Sequence, residues 1–566
     1  MTGIQRRTSR PWGGWLSSLI LLFAFVTMLP AAHAARAQGL AAVPVRYDAA
    51  SNTIYVGEDY TDPALAAYPS APGAPKSPIT IPQVAAALNN STLLQDQGGG
   101  AWLLNANMVI SATARLDATD ASIAWLRLAS AASFVRVVAD GGYLKLQNVK
   151  VTSWDAAAGA VDTNYADGRA YLVALQGGRM DVVGAEVGYL GFADGEPSGM
   201  AWRLRATESR PETGATGTIQ NSNIHDNFFG QYSFAAYGLT VTNSQFHHNV
   251  LYGLDPHDRS TGFQVSYNQV HDNGKHGIIF SRGCTQNVIS HNQVYNNASH
   301  GIMVDRGSDN NTIADNLVYG NDDGVAIFES SNNTVRNNTL HDNNRGVRIN
   351  ATYDVTDTFD GISTGNTVIS NTIQNNLQYG IYLYERADRN TIEQNLVAGS
   401  TSSGVYIKTG GNQVRNNAIR LNGTGVTIVG GALTPFPPGG PKPVPALEQP
   451  GRNNVIVGNT IADNDTSGIQ LKTAVNTAIG TLQNGNLIQT NGTYGVTMNT
   501  ATTDTILAGN TILANGNDGV LIKDSASARN KITRNSISAN GGLGIKLGVG
   551  ANGGIAPPTI SSAPAA

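Results

Sequence analysis

Charged residues and cysteine are both scarce in this chain of 566 residues. Asp, Glu, Lys and Arg make up 13% of the sequence, about half their usual share, which argues against a protein built from charged surface helices. The only cysteine is Cys284, so the chain has no internal disulfide and its stability must come from packing. The 64 glycines instead favour short strands joined by many turns.

Strong charge of either sign is also lacking. The formal net charge is −4, which excludes a general binder of nucleic acid or other polyanions. An acidic ligand would need a local cluster of cations.

Long apolar runs are absent beyond the first residues, which have the pattern of an export signal. Arg6, Arg7 and Arg10 precede an apolar run from Trp15 to Leu29, and the small-residue site Ala32 to Ala34 follows. We expect cleavage after Ala34 and export to the periplasm or out of the cell. An uncleaved anchor is the alternative, but about 15 apolar residues are fewer than the roughly 20 that cross a bilayer. We expect no membrane span after cleavage.

From about residue 220 one phrase recurs: N-x-h-x-x-N-x-h-x-x-N-x-x-x-G-h-x-h, where h is apolar. Its spacing, mostly 22 to 25 residues, predicts an all-β solenoid in which each repeat forms one coil of a parallel β-helix. Leucine-rich repeats share the period but need more leucine. Asparagines at one coil position can stack into hydrogen-bonded ladders. The markers at the middle position are Asn268, Asn292, Asn316, Asn338, Asn371, Asn395, Asn417, Asn459, Asn510 and Asn535.

The repeat also suggests the domain organisation. Two long gaps predict loops inserted from Ala351 and from Gly430, and Pro82 opens a short predicted helix suited to capping the solenoid. The predicted segments are a signal peptide at 1–34, an N-terminal cap at 35–100, a parallel β-helix at 101–550 with its catalytic part at about 220–350, and a flexible tail at 551–566.

One repeat departs from the pattern at residues 252–260, YGLDPHDRS. Strict alternation after Gly253 directs Asp255 and His257 outward. Coils stack about 4.8 Å apart, so equivalent positions form columns. One column contains His257 and Asp258, then Ser281 and Arg282, then Asp305 and Arg306; another contains Tyr252, His276, His300 and Asp323.

Histidines cluster around this repeat. All of them except His33 lie between residues 225 and 341. For His271, His291 and His341 the simpler interpretation is a turn cap. For His257 we favour a functional role, because functional sites are where local rules break.

The motif YGLDPHD, with HGIIFSR one coil later, resembles the alginate C5-epimerases, exported right-handed β-helix enzymes that convert mannuronate to guluronate within a polymer. The resemblance is strong over residues 220–350 and generic beyond. It implies that His257 acts on the C5 proton, with Tyr252 as partner acid or base, Arg282 neutralising the carboxylate and Asp255 orienting the group. Substrate-binding residues would be Asp258, Arg259, His276, His300, Asp305 and Arg306.

The chemistry of the reaction fits these residue types. A proton next to a carboxylate is barely acidic, so a guanidinium must offset the second negative charge, and an imidazole is neutral enough near pH 7 to act as base. The calcium-binding nonapeptide is absent, so we expect no metal and no cofactor. The expected partner is an acidic polysaccharide, with no nucleic acid, and the chain is expected to be a monomer.

Three alternatives remain open. A uronate lyase would begin with the same proton abstraction and then expel the C4 oxygen. An inverting glycosidase would use Asp322 and Asp323, although an N-D-D-G turn explains them more simply. A non-catalytic glycan-binding solenoid would not depend on His257.

Overall fold

The structure is a computed structural model of the chain. It describes residues 43–57, 77–131, 133–193, 198–204, 214–351, 359–432 and 448–555. The expected signal peptide, parts of both expected insertions and most of the tail lie outside these residues.

The chain winds into coils whose short strands stack into three long sheets, here called sheets A, B and C. Sheet A has 19 strands. In stacking order these are Val45–Asp48, Thr53–Val56, Asn107–Ile110, Arg136–Asp140, Tyr171–Leu175, Gly199–Arg203, Phe229–Phe234, Leu254–His257, Ile278–Ser281, Ile302–Asp305, Asp323–Phe328, Arg345–Asn350, Tyr379–Leu383, Ser403–Ile407, Thr424–Val429, Ile469–Lys472, Val496–Asn499, Val520–Ile522 and Ile545–Leu547.

Sheets B and C cover the other sides of the coil. The strands of sheet B are Pro78–Thr80, Arg115–Thr119, Tyr143–Gln147, Arg179–Val183, Thr216–Gln220, Thr240–Thr242, Gln264–Ser266, Val288–Ser290, Thr312–Ala314, Thr334–Arg336, Thr367–Ile369, Thr391–Glu393, Gln413–Arg415, Val455–Val457, Ala478–Ile479, Ile506–Ala508 and Lys531–Thr533. Those of sheet C are Leu94–Asp96, Ala101–Leu104, Trp125–Ala129, Lys150–Asp155, Ala160–Val161, Glu186–Gly188, Asn223–His225, Gln245–His247, Gln269–His271, Gln293–Tyr295, Leu317–Tyr319, Thr339–His341, Thr372–Gln374, Leu396–Ala398, Ala418–Arg420, Thr460–Ala462, Leu487–Gln489, Thr511–Leu513 and Ser536–Ser538.

The predicted β-solenoid is therefore confirmed. From sheet A strand Thr53–Val56 onward, each strand of that sheet pairs in parallel with its equivalent in the next coil. Inward side chains such as Ile278, Ile302 and Val325 are fully buried in one continuous core. A solenoid can extend in this way because each coil buries its apolar face only against its neighbours.

The predicted asparagine ladder is also present. The side-chain N–H of Asn268 donates to Asn292 Oδ1 at 3.0 Å, and equivalent bonds continue coil by coil to Asn535. Asn486 bridges Asn459 and Asn510 in this ladder, although the sequence pattern did not mark it. Each buried side-chain amide of the ladder thus has hydrogen-bond partners in the adjacent coils.

The predicted short helix spans Ile81–Leu88, with Pro82 in its first turn. Thr80 caps it and forms a capping box with Gln83, while Ile81 and Val84 are buried. A second, 3₁₀ helix spans Ala551–Gly554. Among the described residues, neither helix is long and apolar enough to span a bilayer.

Candidate active site

The irregular repeat forms sheet A strand Leu254–His257. Leu254 is fully buried in the core and pairs with Ile278, and His257 pairs with Ser281. Between them Pro256 has no N–H to donate to the ladder. The strand nevertheless keeps its register, so Asp255 and His257 lie on the outer face as the alternation predicted.

Asp258 joins His257 to Arg282. Its Oδ2 lies 2.5 Å from His257 Nδ1, and its Oδ1 accepts a hydrogen bond of 3.2 Å from Arg282 Nε in the next coil. Burial favours a raised pKa for the Asp258 carboxyl, but the bond from His257 and the charge of Arg282 outweigh it, so the pKa lies below its ordinary value. Asp258 is therefore ionised at neutral pH and can accept a proton from His257 Nδ1, which leaves the other ring nitrogen, Nε2, outside this bond.

This arrangement differs from the expectation that Asp255 orients the imidazole. Asp255 is 3% exposed, and within the described structure its Oδ1 has no hydrogen-bond partner. Burial raises the pKa of Asp255 to about 7, although the nearby His257 acts to lower it. A carboxyl with this pKa can be protonated near neutral pH and can then donate a hydrogen bond to an anion.

Tyr252 lies three residues before Asp255, at the start of the irregular repeat. Its hydroxyl accepts a hydrogen bond of 3.1 Å from Lys275 Nζ, and its ring stacks on His276 with centroids 5.1 Å apart. Sequence reasoning missed Lys275, although its place directly before His276 puts it in the coil next to Tyr252. Among the described residues, no carboxylate pairs with Lys275.

The column that continues from Tyr252 is not a row of free cations. Burial lowers the pKa of His276 to about 3, with the charge of His300 acting in the same direction, so His276 is neutral. His300 Nδ1 lies 3.0 Å from Asp323 Oδ2. Any contact of His276 with a uronate would thus be a hydrogen bond or a stacking contact, not an ion pair.

Asp323 is fully buried and is held by two arginines. Its carboxylate lies 2.6 Å from Arg345 Nε and 3.5 Å from Arg348 Nη1. The contacts with two arginines explain why an aspartate is buried at this position, and no hydrolytic role is needed to explain it. The ligand atoms of His300, Asp322 and Asp323 lie within 4.8 Å of one another, but the two guanidinium groups would repel a metal cation there.

Of the two arginines expected to bind substrate, Arg259 and Arg306, only Arg306 is paired with a carboxylate among the described residues. Arg306 Nε lies 3.1 Å from Asp305, which also accepts a bond of 3.2 Å from Ser281 Oγ. Arg259 is exposed, and its backbone N–H donates to the carbonyl of Arg282. Among the described residues, no carboxylate pairs with Arg259. Arg259, Arg282 and Arg306 thus line one edge of the outer face in successive coils.

An apolar floor lies beside these charges. Ile279, Met303, Ala326 and Phe328 form a cluster separate from the main core, with Tyr252 packed against it. They occupy outward positions of sheet A, as the alternation predicts, and lie outside the main core. They are nevertheless at most 8% exposed, so they do not face open solvent. Such a floor matches the C–H surface of a sugar ring.

Several of the clustered histidines belong to a different surface. On the outer face of sheet C, His271 stacks on Tyr295, Tyr295 on Tyr319 and Tyr319 on His341, with centroids 4.7 to 5.0 Å apart. His271 and His341 each bond the following aspartate at 2.7 Å. Much of the histidine clustering therefore reflects a stacked ladder rather than the site.

Comparison with known proteins defines the class. The sequence profile described as "right handed beta helix region" matches residues 208–318, 279–362, 358–503 and 445–556. The chain therefore belongs to the right-handed β-helix family.

Within this class the chain is similar to mannuronan C5-epimerases. It is 29% identical to the Pseudomonas fluorescens enzyme over 179 residues, which are 30% of this chain and 33% of that protein. It is 28% identical to the Pseudomonas putida enzyme over 168 residues, 28% of this chain and 31% of that one. The match thus spans about a third of the length of these relatives.

The solved structure of the periplasmic alginate epimerase AlgG has the same fold. It aligns with a TM-score of 0.53 at 20% identity, covering 62% of this chain and 81% of that chain. The resemblance to alginate epimerases noted from the motif is confirmed at this level, as an epimerase-like right-handed β-helix.

Proposed function

We propose that the protein is an exported epimerase that inverts C5 of uronate residues within an acidic polysaccharide, converting mannuronate to guluronate. The observation that carries this proposal is the hydrogen-bonded chain His257–Asp258–Arg282, which places an imidazole next to a guanidinium. The similarity to mannuronan C5-epimerases supports it.

Binding of the sugar acid comes first. Arg282 uses Nε to bond Asp258 and keeps its terminal N–H groups for the substrate carboxylate, which they can hold through two parallel bonds. Protonated Asp255 adds a neutral donor from the floor of the site. Both groups stabilise the additional negative charge that develops on the carboxylate when C5 loses its proton.

Proton transfer then follows on the two faces of the ring. Nε2 of His257 removes the C5 proton, and the electron pair moves into the carboxylate. Asp258 stabilises the imidazolium that forms. The hydroxyl of Tyr252 returns a proton to the opposite face, and Lys275 stabilises the phenolate left behind. His257 then releases its proton to solvent and Tyr252 takes one up from solvent, so the site returns to its starting state and no other reactant is consumed.

Deuterium exchange tests this mechanism. Polymannuronate incubated with the enzyme in deuterated water should acquire deuterium at C5 as guluronate signals grow in the proton NMR spectrum. His257→Ala and Arg282→Ala should abolish both changes. His271→Ala is the matched control, because His271 also bonds the following aspartate but lies on sheet C.

The same experiment separates the alternatives. Chain cleavage with products that absorb in the ultraviolet would identify a lyase, and cleavage without that absorbance would identify a hydrolase. Binding with neither deuterium uptake nor cleavage would identify a glycan-binding solenoid.

We also propose that the protein acts as a monomer outside the cytoplasm and needs no metal or cofactor. Neighbouring sugars would be bound through Arg259, Arg306 and the network at His276 and His300.

A further inference from the structure

A cluster of tyrosines lies on the outer face of sheet A, away from the candidate active site. Tyr382 and Tyr406 stack in adjacent strands with centroids 5.2 Å apart. Tyr379 lies 4.7 Å and Tyr384 5.4 Å from Tyr382, so three rings stand side by side in one coil. We call these four residues the tyrosine platform.

The platform faces outward because its neighbours face the core. Ile381 and Leu383 flank Tyr382 along the strand, and both are fully buried. Val405 and Ile407 flank Tyr406 in the same way. Alternation therefore directs both rings away from the interior, where they remain partly exposed.

Cations border the platform. Lys408 Nζ donates to the Tyr384 hydroxyl at 3.2 Å and lies 4.7 Å from the centre of that ring. In the part of the chain that the structure describes, no carboxylate pairs with Lys408. The Arg345 guanidinium lies 6.0 Å from the Tyr382 ring. An anion above the rings would therefore meet an ammonium group whose charge is unpaired.

The platform and the candidate active site occupy the same column of sheet A. Counted through the paired strands, the column runs from Asp255 through Ile279, Met303, Ala326 and Arg348 to Tyr382. Five steps of about 4.8 Å give about 24 Å along the solenoid axis. A polymer lying along this face over His257 would cross the platform several sugar units further on.

The arrangement differs from the aromatic ladder of sheet C. That ladder has one ring per coil, and Tyr295 and Tyr319 are parallel within 2°, so its rings cover one another. The platform instead spreads three rings across one coil and tilts Tyr379 by 32° and 52° against its neighbours. A broad aromatic surface beside a cation suits a ligand with an apolar C–H face and a negative charge.

We propose that the tyrosine platform, with Lys408, is a second binding site for uronate residues of the same polysaccharide, about 24 Å from His257. The choice of ligand rests on the proposed function. The platform would stack sugar rings while Lys408 pairs with a carboxylate, and it would thereby retain long chains on the enzyme. Its contribution should appear with polymers long enough to span both sites and not with short oligomers.

The test measures binding in the His257→Ala protein, which leaves the ligand unconverted. Titration calorimetry compares polymannuronate with a mannuronate oligomer too short to span about 24 Å. Adding Tyr382→Ala and Tyr406→Ala should weaken polymer binding about tenfold and leave oligomer binding unchanged. Lys408→Gln should weaken polymer binding and reduce its dependence on salt. Tyr319→Ala, which removes a stacked ring from sheet C, is the matched control.

The outcomes are distinct. Unchanged polymer affinity in the double variant overturns the proposal, as does an equal loss for polymer and oligomer, because the platform would then not be a separate site. If the double variant unfolds at a lower temperature than its parent, Lys408→Gln decides alone, since Lys408 lies just past its strand and is not buried. If the native chain incorporates no deuterium at C5 but the platform still determines polymer binding, the epimerase proposal fails and this one stands.

Discussion

Nδ1 of His257 lies 2.5 Å from Oδ2 of Asp258, its neighbour in the chain. Arg282, at the equivalent position of the next coil, donates a hydrogen bond to the other oxygen of the same carboxylate. Two consecutive coils thus bring an imidazole and a guanidinium together, and one aspartate fixes their relative positions. His271 and Asp272 form the same local pair on sheet C without an arginine partner in the described structure, so it is the third member that distinguishes the candidate site.

Asp258→Asn should lower kcat roughly 10³-fold with little change in KM, because an amide no longer holds the proton on Nδ1 and no longer stabilises the imidazolium. Steady-state rates of C5 epimerisation would measure this. Asp272→Asn is the control and should leave kcat unchanged. Equal activity of Asp258→Asn and the native chain would contradict the proposed role of Asp258.

Asp255→Asn should change how stability depends on pH. The folded state raises the Asp255 pKa from 3.8 to about 7, so it binds this proton more tightly than the unfolded chain does. The stabilisation is fully present below pH 4 and is lost as the pH rises through about 7, an effect of the order of a few kcal/mol. The neutral amide avoids that loss.

Urea unfolding at pH 5 and pH 8 would measure the difference. We expect Asp255→Asn to be more stable than the native chain at pH 8, with a smaller change in unfolding free energy between the two pH values. Asp342→Asn, at a well-exposed carboxylate, should follow the native chain. A parallel pH dependence of Asp255→Asn and the native chain would show that Asp255 is not the titrating group.

Arg282→Lys should lower kcat/KM by about 10²-fold to 10³-fold, because an ammonium cannot both bond Asp258 through Nε and hold a carboxylate with two parallel bonds. Arg336→Lys is the control, since Arg336 forms an exposed ion pair of 3.7 Å with Asp315 outside the site. Full activity of Arg282→Lys would show that charge alone suffices.

Asn316→Ala should lower the free energy of unfolding by roughly 3 kcal/mol, because it leaves buried ladder groups without partners. Asn316 donates to Asn338 Oδ1 at 2.9 Å and to the Ile289 carbonyl at 3.0 Å, and it accepts from Asn292 at 3.0 Å. Denaturant unfolding gives the measurement. Asn517→Ala, at an exposed asparagine, should change the free energy of unfolding little. Similar losses of stability in both variants would show that the ladder bonds are not the cause.

The sequence predicted the fold because local rules dominate in a solenoid. The period, the inward apolar positions after each glycine and the asparagine markers all repeat. The structure expected for one coil can therefore be applied to the next. The cap helix was recognisable from Pro82. The domain boundaries proposed from the sequence, including the signal peptide, stay predictions.

Prediction of the candidate site was less complete. Alternation and stacking placed His257, Asp258 and Arg282 on one edge, but they did not reveal that Asp258 rather than Asp255 bonds the imidazole. Sequence reasoning also missed Lys275, because the stacking of coils aligns it with Leu251, and only its long side chain reaches the hydroxyl of Tyr252. Sequence reasoning also missed the tyrosine platform, because its central rings, Tyr382 and Tyr406, occupy ordinary outward positions of their strands.

The amino-acid sequence by itself determined the coil, the direction of each strand side chain and the place of the one irregular repeat, because these depend on neighbours a few residues or one period away. Only the tertiary structure decided which carboxylate is buried and protonated and which is ionised between a histidine and an arginine. Those properties depend on desolvation and on charges brought together from different coils, and neither is encoded in local periodicity.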